Sequence, residues 1–266
     1  MNKNRQSIIK PPLVERKAGK ERLNTAPEPV IIVINGVTVR DTVKEELRKT
    51  VIGLGADVCG FAAIDRFADA PKGFHPADLF GGCRTVIVFG IALPKGLSMV
   101  APRFIYGHFN DDVCREIDRI AFAAAKTIES RFEGAAVPLP CDTPYEYWDA
   151  DNLEGRGLMS MKHAAVCAGL GTLGKNTLLL NRDYGNMLII GAVLTDLALA
   201  SDPLAPCICK TECHLCIDSC PAGALDGTRA NQKKCRTNTY GTTARGFGTV
   251  DCNICRTVCP RKYGIG

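Results

Sequence analysis

The chain has 266 residues, 46% hydrophobic and 23% charged, with 26 Gly, 15 Pro and 14 Cys. This is ordinary globular usage apart from the cysteine, which excludes a disordered or fibrous protein, and the length supplies a core without cysteine staples. No run of about 18 uncharged apolar residues spans a membrane and no apolar leader follows Met1, so the expectation is a soluble cytoplasmic protein with no membrane partner, in which clustered thiols hold metal rather than disulfides. The formal charge of +5 resides mostly in residues 1–29, where seven basic residues face three acidic ones, and the remaining body is nearly neutral. Such a tail reads first as a solvated extension.

In chain order, Val30 to Ile34 and Val37 to Val39 flank Asn35-Gly36, a dipeptide that accepts positive φ at both positions, and they predict a β-hairpin at or near a sheet edge. Asp41 is placed to cap a helix whose Val43, Leu47, Val51 and Leu54 share a face, with Gly55 ending it. Strands are predicted at Val58 to Ile64, Thr85 to Leu93, Ala135 to Leu139 and Met187 to Leu194. Between the second and third, a helix runs from about Asp111 to Phe132 with Val113, Ile117, Ile120, Ala124 and Ile128 in one stripe. This alternation predicts an α/β (α+β) domain with a mostly parallel sheet.

Composition changes at Pro203 to Pro206. Nine of the fourteen cysteines fall between Cys207 and Cys259. The expected division is therefore a basic tail over 1–29, an α/β domain over 30–203 and a small ferredoxin-type domain over 204–266. A module so small gains the stability it lacks from bound metal.

Two runs carry the chemistry: Cys209-Lys-Thr-Glu-Cys213-His-Leu-Cys216-Ile-Asp-Ser-Cys220-Pro221 and Cys252-Asn-Ile-Cys255-Arg-Thr-Val-Cys259-Pro260. Cys-x2-Cys-x3-Cys-Pro twice is the pattern of two 4Fe-4S clusters, in which the cysteine before proline serves the opposite cluster. Disulfides and a zinc pair are the alternatives. Zinc ribbons pair Cys-x2-Cys knuckles without the Cys-Pro ending. The crossing rule assigns Cys209, Cys213, Cys216 and Cys259 to one cluster, and Cys220, Cys235, Cys252 and Cys255 to the other. Cys207 is the alternative to Cys209. The other five cysteines, Cys59, Cys83, Cys114, Cys141 and Cys167, lack ligand spacing and read as buried packing.

Gly169-Leu-Gly171-Thr-Leu-Gly174 matches G-x-G-x-x-G, yet it follows a predicted helix, Met159 to Ala168, instead of the first strand of the fold. The match therefore does not read as a dinucleotide fingerprint. Three glycines in six residues indicate a close approach to a ligand or to a neighbouring strand.

The segments Ala168 to Thr177, Ile190-Gly-Ala-Val-Leu-Thr-Asp196, Cys216 to Leu225 and Lys234-Cys-Arg-Thr-Asn-Thr239, in this order, resemble the epoxyqueuosine reductases and their relatives the reductive dehalogenases. Leu79 to Val88 is similar to the family's entry into a central strand. The resemblance spans about residues 55–262. It implies an α/β domain able to hold base-off cobalamin, with Gly169, Gly171, Gly174 and Lys175 as the cofactor-binding segment, beside a ferredoxin domain that feeds it electrons. Asp142-Thr143-Pro144 approximates the family's proton-donor segment, which makes Asp142 and Tyr145 the candidate catalytic residues. The chain ends at Gly266, before the helical-repeat region of the tRNA-acting members, and tRNA is not expected as a partner. The expected partners are an external electron donor such as a ferredoxin or flavodoxin and a small-molecule or cofactor substrate. The expected function is an iron-sulfur oxidoreductase. A non-catalytic electron carrier and a corrinoid-protein activator remain alternatives.

Overall fold

The computed structural model describes residues 33–34, 37–143 and 145–265; the basic tail and the Asn35-Gly36 turn lie outside them. Val33–Ile34 and Val37–Thr38 pair antiparallel as a hairpin. They form a two-stranded sheet of their own and do not border the main sheet, contrary to the expected edge position. Helix α1 (Val39–Gly53) follows at once. Asp41 thus sits in the first turn, where its charge meets the positive helix end, rather than at the cap.

Four strands make the central sheet: β1 (Val58–Ala63), β2 (Thr85–Ala92), β3 (Ala136–Pro138) and β4 (Leu188–Thr195), in the order β1-β2-β4-β3. Every neighbouring pair is antiparallel, with Gly60 opposite Val88, Val88 opposite Ala192, and Leu194 opposite Val137. The mostly parallel sheet expected from the sequence is therefore corrected. The apolar run of β2 reports burial on both faces, and two-sided burial occurs in either strand direction whenever helices cover both sides.

One face packs on α1 and on the long helix α2 (Ile105–Arg131), where Leu47, Val51, Ile117, Ile120, Ala124 and Ile128 meet Phe61, Ile87, Phe89 and Val193. The other face packs on α3 (Met161–Cys167), where Ala164, Ala165 and Ala168 meet Ala62, Val86, Val88, Ala192 and Leu194. Alternate residues of each strand serve opposite faces, as a pleat of period two requires. The approach is close on both sides. A Cβ on Gly191 would lie 2.3 Å from the Ile117 side chain, and one on Gly60 would lie 2.3 Å from the Ala168 carbonyl.

The free edge of β1 is covered where the chain leaves the sheet. Asp202 donates its N–H to the Phe61 carbonyl at 2.9 Å and accepts the Phe61 N–H on its carboxylate at 3.0 Å, while Ser201 Oγ accepts from Ala63 N. Lys44 at 2.7 Å and Arg48 at 2.9 Å from α1 hold the same carboxylate. The cysteine-rich region starts from this anchored point. It contains the short helices Leu215–Asp218 and Ile254–Thr257, helix α4 (Gln232–Thr239) and an antiparallel pair, Tyr240–Thr242 with Gly248–Val250.

Candidate iron-sulfur and reductive site

The two cysteine runs each turn through one short helix, and these helices pack on one another. Cys209, Cys213, Cys216 and Cys259 line one pocket, together with Lys175, Asn176, Leu180, Lys210, Pro260 and Arg261. Three of these thiols come from the first run and one from the second. Cys207 is exposed outside that lining, its thiol directed at the Cys209 carbonyl at 3.8 Å.

Cys255 has a different set of neighbours. Burial pushes its thiol up to about 11, with Cys235, Cys252 and Cys220 adding to the rise and Arg256 opposing it. For Cys216 the rise comes from burial first and then from Cys259, Cys209 and Cys213. The eight thiols thus separate into two neighbourhoods of four, each drawing on both runs. Among the described residues no three Cys, His, Asp or Glu side chains converge as a single metal ion would need. The donor set is all sulfur, which suits iron-sulfur clusters.

Residues of the glycine loop fasten this region to the sheet domain. Lys175 Nζ donates to the Cys213 carbonyl at 3.0 Å and to the Thr211 carbonyl, and lies 3.2 Å from His214 Nε2. Next to it, Asn176 Nδ2 donates to the Cys255 carbonyl at 3.0 Å. One dipeptide therefore grips both cysteine runs. A second tie joins Asn186 and the buried Arg256, each donating to the other's carbonyl.

The glycines themselves face protein. A Cβ on Gly169, whose φ is +73°, would lie 2.1 Å from the Pro203 carbonyl, one on Gly171 2.3 Å from the Leu180 carbonyl, and one on Gly174 2.8 Å from Asn176 and Leu180 side-chain atoms. Of the two readings of the loop, close approach to the chain's own neighbouring segments accounts for all three positions, and for Gly171 that segment is the short strand Leu179–Leu180. The glycine content is then no sign of a bound cofactor.

Asp142 and Tyr145 meet around Arg236, one residue beyond Cys235 on α4. Arg236 Nη2 donates to the Tyr145 hydroxyl at 3.0 Å, and its guanidinium lies 5.2 Å from the Tyr145 and Trp148 ring centres and 5.9 Å from that of Tyr240. Tyr145 stacks on Trp148 at 5.7 Å. Gln232, one turn before Arg236, exchanges two 3.0 Å hydrogen bonds with the Gly155 backbone and so fixes the helix to the aromatic segment. Surrounding protein raises the Asp142 carboxyl above its usual range, Asp111 and Asp118 add to this, and Arg236 opposes it. A carboxyl with a raised pKa and a phenol held by the same guanidinium are groups able to exchange protons.

Sequence reasoning missed Arg236, Asn176, Asn186 and Arg256, because their contacts are long-range and carry no local spacing. It also treated five cysteines as buried, whereas only Cys59 and Cys83 are; Cys114, Cys141 and Cys167 are half-exposed.

No protein-family model matches the chain. Among curated proteins, the epoxyqueuosine reductase of Staphylococcus aureus is 31% identical over 264 residues, which cover 84% of this chain and 65% of the relative, and that of Lactococcus garvieae is 26% identical over 264 residues, covering 84% and 71%. An epoxyqueuosine reductase solved with an epoxyqueuosine-modified tRNA-Tyr stem loop matches with a TM-score of 0.58 at 20% identity, over 84% of this chain and 66% of that one. A reductive dehalogenase structure bearing on B12-dependent dehalogenation matches with a TM-score of 0.60 at 20% identity, over 82% and 32%. The chain is similar in sequence to the epoxyqueuosine reductases and in fold to them and to the reductive dehalogenases. This likeness implies iron-sulfur clusters, and the cysteine content fits. The chain spans about two thirds of the length of these epoxyqueuosine reductases and about a third of the dehalogenase. The tRNA-bound relative overturns the expectation that excluded tRNA as a partner. That expectation rested on where the sequence stops, whereas the relative solved with a tRNA stem loop matches over 84% of this chain. Among the described residues no helix is long and apolar enough to cross a membrane.

Proposed function

We propose that the chain is an iron-sulfur oxidoreductase of the epoxyqueuosine reductase kind, with a sheet domain over 30–203 and a ferredoxin-type domain over 204–266. Cys209, Cys213, Cys216 and Cys259 would hold one 4Fe-4S cluster, and Cys220, Cys235, Cys252 and Cys255 the other. Bound clusters would supply electrons one at a time. The observation that carries the reading is continuity. Cys235 belongs to the second thiol neighbourhood, and the next residue, Arg236, holds Tyr145 and faces Asp142.

In this reading the chain's own groups manage the protons. Asp142, with its raised pKa, delivers a proton to the reduced substrate, and Arg236 sets the position of the Tyr145 hydroxyl and limits the rise at Asp142. The tRNA stem loop bound by the relative makes epoxyqueuosine-modified tRNA the first substrate to test, and the B12-dependent relative makes base-off cobalamin the first corrinoid to test. The loop over Gly169 to Gly174 packs on its own chain, so no step is assigned to a corrinoid there.

Anaerobic reconstitution with iron and sulfide tests the cofactors, with about eight irons per chain expected because each cubane holds four. Iron near two, or zinc in its place, overturns the cluster assignment. The loaded protein, reduced with dithionite, is then assayed for conversion of modified tRNA with and without cobalamin. Loss of conversion in Asp142→Asn with iron content unchanged is the expected result.

A further inference from the structure

Two cysteines outside the proposed ligand set, Cys114 on α2 and Cys141 next to Asp142 in sequence, interact with one another. Cys141 is anchored to α2 through its backbone, whose N–H donates to Asp118 Oδ1 at 2.8 Å. Cys114 lies four residues before Asp118 on the same helix, hence on the same face one turn away. The Cys141 thiol also donates to the Ile190 carbonyl on β4 at 3.5 Å, which places it between helix and sheet. Both cysteines are half-exposed, unlike Cys59 and Cys83.

We propose that Cys114 and Cys141 are a redox-active thiol pair that closes to a disulfide on reaction with a small-molecule disulfide of the glutathione class. In the first step the Cys114 sulfur attacks the small disulfide, an S–S bond breaks, and one small thiol leaves. Next the Cys141 sulfur attacks the Cys114 sulfur and expels the second small thiol. Two cysteine thiols are oxidised, one small disulfide is reduced to two thiols, and the two protons leave with them. Hydrogen bonding to Cys114, then burial, and the Asp118 and Asp142 carboxylates push the Cys141 thiol up. Cys141 is accordingly the resolving thiol and Cys114 the entry point.

Closure ties residue 141 covalently to α2 and restricts the segment that carries Asp142. This consequence rests on the function proposed above, whereas the thiol chemistry does not. The cluster-loaded full chain is exposed anaerobically to oxidised glutathione, alkylated and digested with trypsin. The expected product is peptide 104–115 joined to peptide 132–156 by a disulfide, with Cys59 and Cys83 alkylated and iron content unchanged. In Cys141→Ser, glutathione accumulates on Cys114 several-fold above the wild type, since the resolving thiol is gone, and Cys114→Ser leaves Cys141 reduced. Recovery of both wild-type peptides in alkylated form, or equal glutathione on Cys114 with and without Cys141, overturns the proposal. Cross-linking without change in tRNA conversion would instead count against the role of Asp142.

Discussion

At the scale of single residues, Lys175 changes meaning between sequence and structure. In the sequence it extends a glycine loop; in the fold its ammonium holds the carbonyls of Thr211 and Cys213 beside the first thiol pocket. Lys175→Met removes charge-assisted hydrogen bonds worth about 1–3 kcal/mol in total, and it should weaken the Cys209 to Cys216 segment selectively. Iron release to a chelator is expected to accelerate, with the EPR signal of the first cluster lost before that of the second. Equal retention in both proteins would show that Lys175 does not support that segment. Asp142 gives a pH dependence of definite sign. Its carboxyl is raised, so the protonated form survives above the ordinary carboxylate range, and a reaction that uses its proton falls as pH rises through that raised value. Arg236 holds the value down, so Arg236→Gln should displace the falling limb to higher pH. Asp142→Asn should abolish the limb along with the rate. An alkaline limb unchanged in Arg236→Gln would separate Arg236 from Asp142.

At the scale of elements, the strands and long helices were legible because apolar periodicity is local: β1, β2, β4 and the buried stripe of α2 follow directly from it. Strand direction was not legible. The apolar run of β2 is the same whether its neighbours run with it or against it, and the 64–84 connection, with its short helix Pro76–Leu79, returns the chain antiparallel. The start of α2 was also missed, because Ile105 and Phe109 are exposed and break the apolar stripe. Gly191 was visible as part of a motif, but its reason is packing. The sheet and α2 approach so closely that any Cβ at this position meets Ile117. Gly191→Ala should therefore cost about 1–3 kcal/mol by overpacking, read from urea denaturation. Adding Ile117→Val, which removes a methyl group at the contact, should recover part of that loss. If the double variant is simply additive, the contact is not what requires the glycine.

At the scale of the whole molecule, the two cysteine runs and their spacing were readable from sequence, while the way they are bolted to the sheet was not. Lys175 reaches the first run, Asn176 reaches Cys255, and Asn186 and Arg256 exchange hydrogen bonds across 70 residues. Two glycine contacts reinforce these ties. A Cβ on Gly185 would lie 2.0 Å from the Arg261 carbonyl, and one on Gly264 would lie 2.2 Å from the Arg182 carbonyl. Val250 N donates to Arg103 O at 3.1 Å just before α2. A region so tied cannot order or loosen alone, and metal that binds only the folded thiols stabilises everything coupled to them by mass action. Loading with iron and sulfide is therefore expected to raise the melting temperature of the sheet domain as well as of the cysteine region, in a single calorimetric transition. Asn176→Ala combined with Arg256→Met should split that transition in two, the sheet domain then melting at one temperature with and without clusters. A wild-type sheet domain that melts identically in the loaded and metal-free protein would show that these hydrogen bonds transmit no stability, and the two regions would then be independent units on one chain.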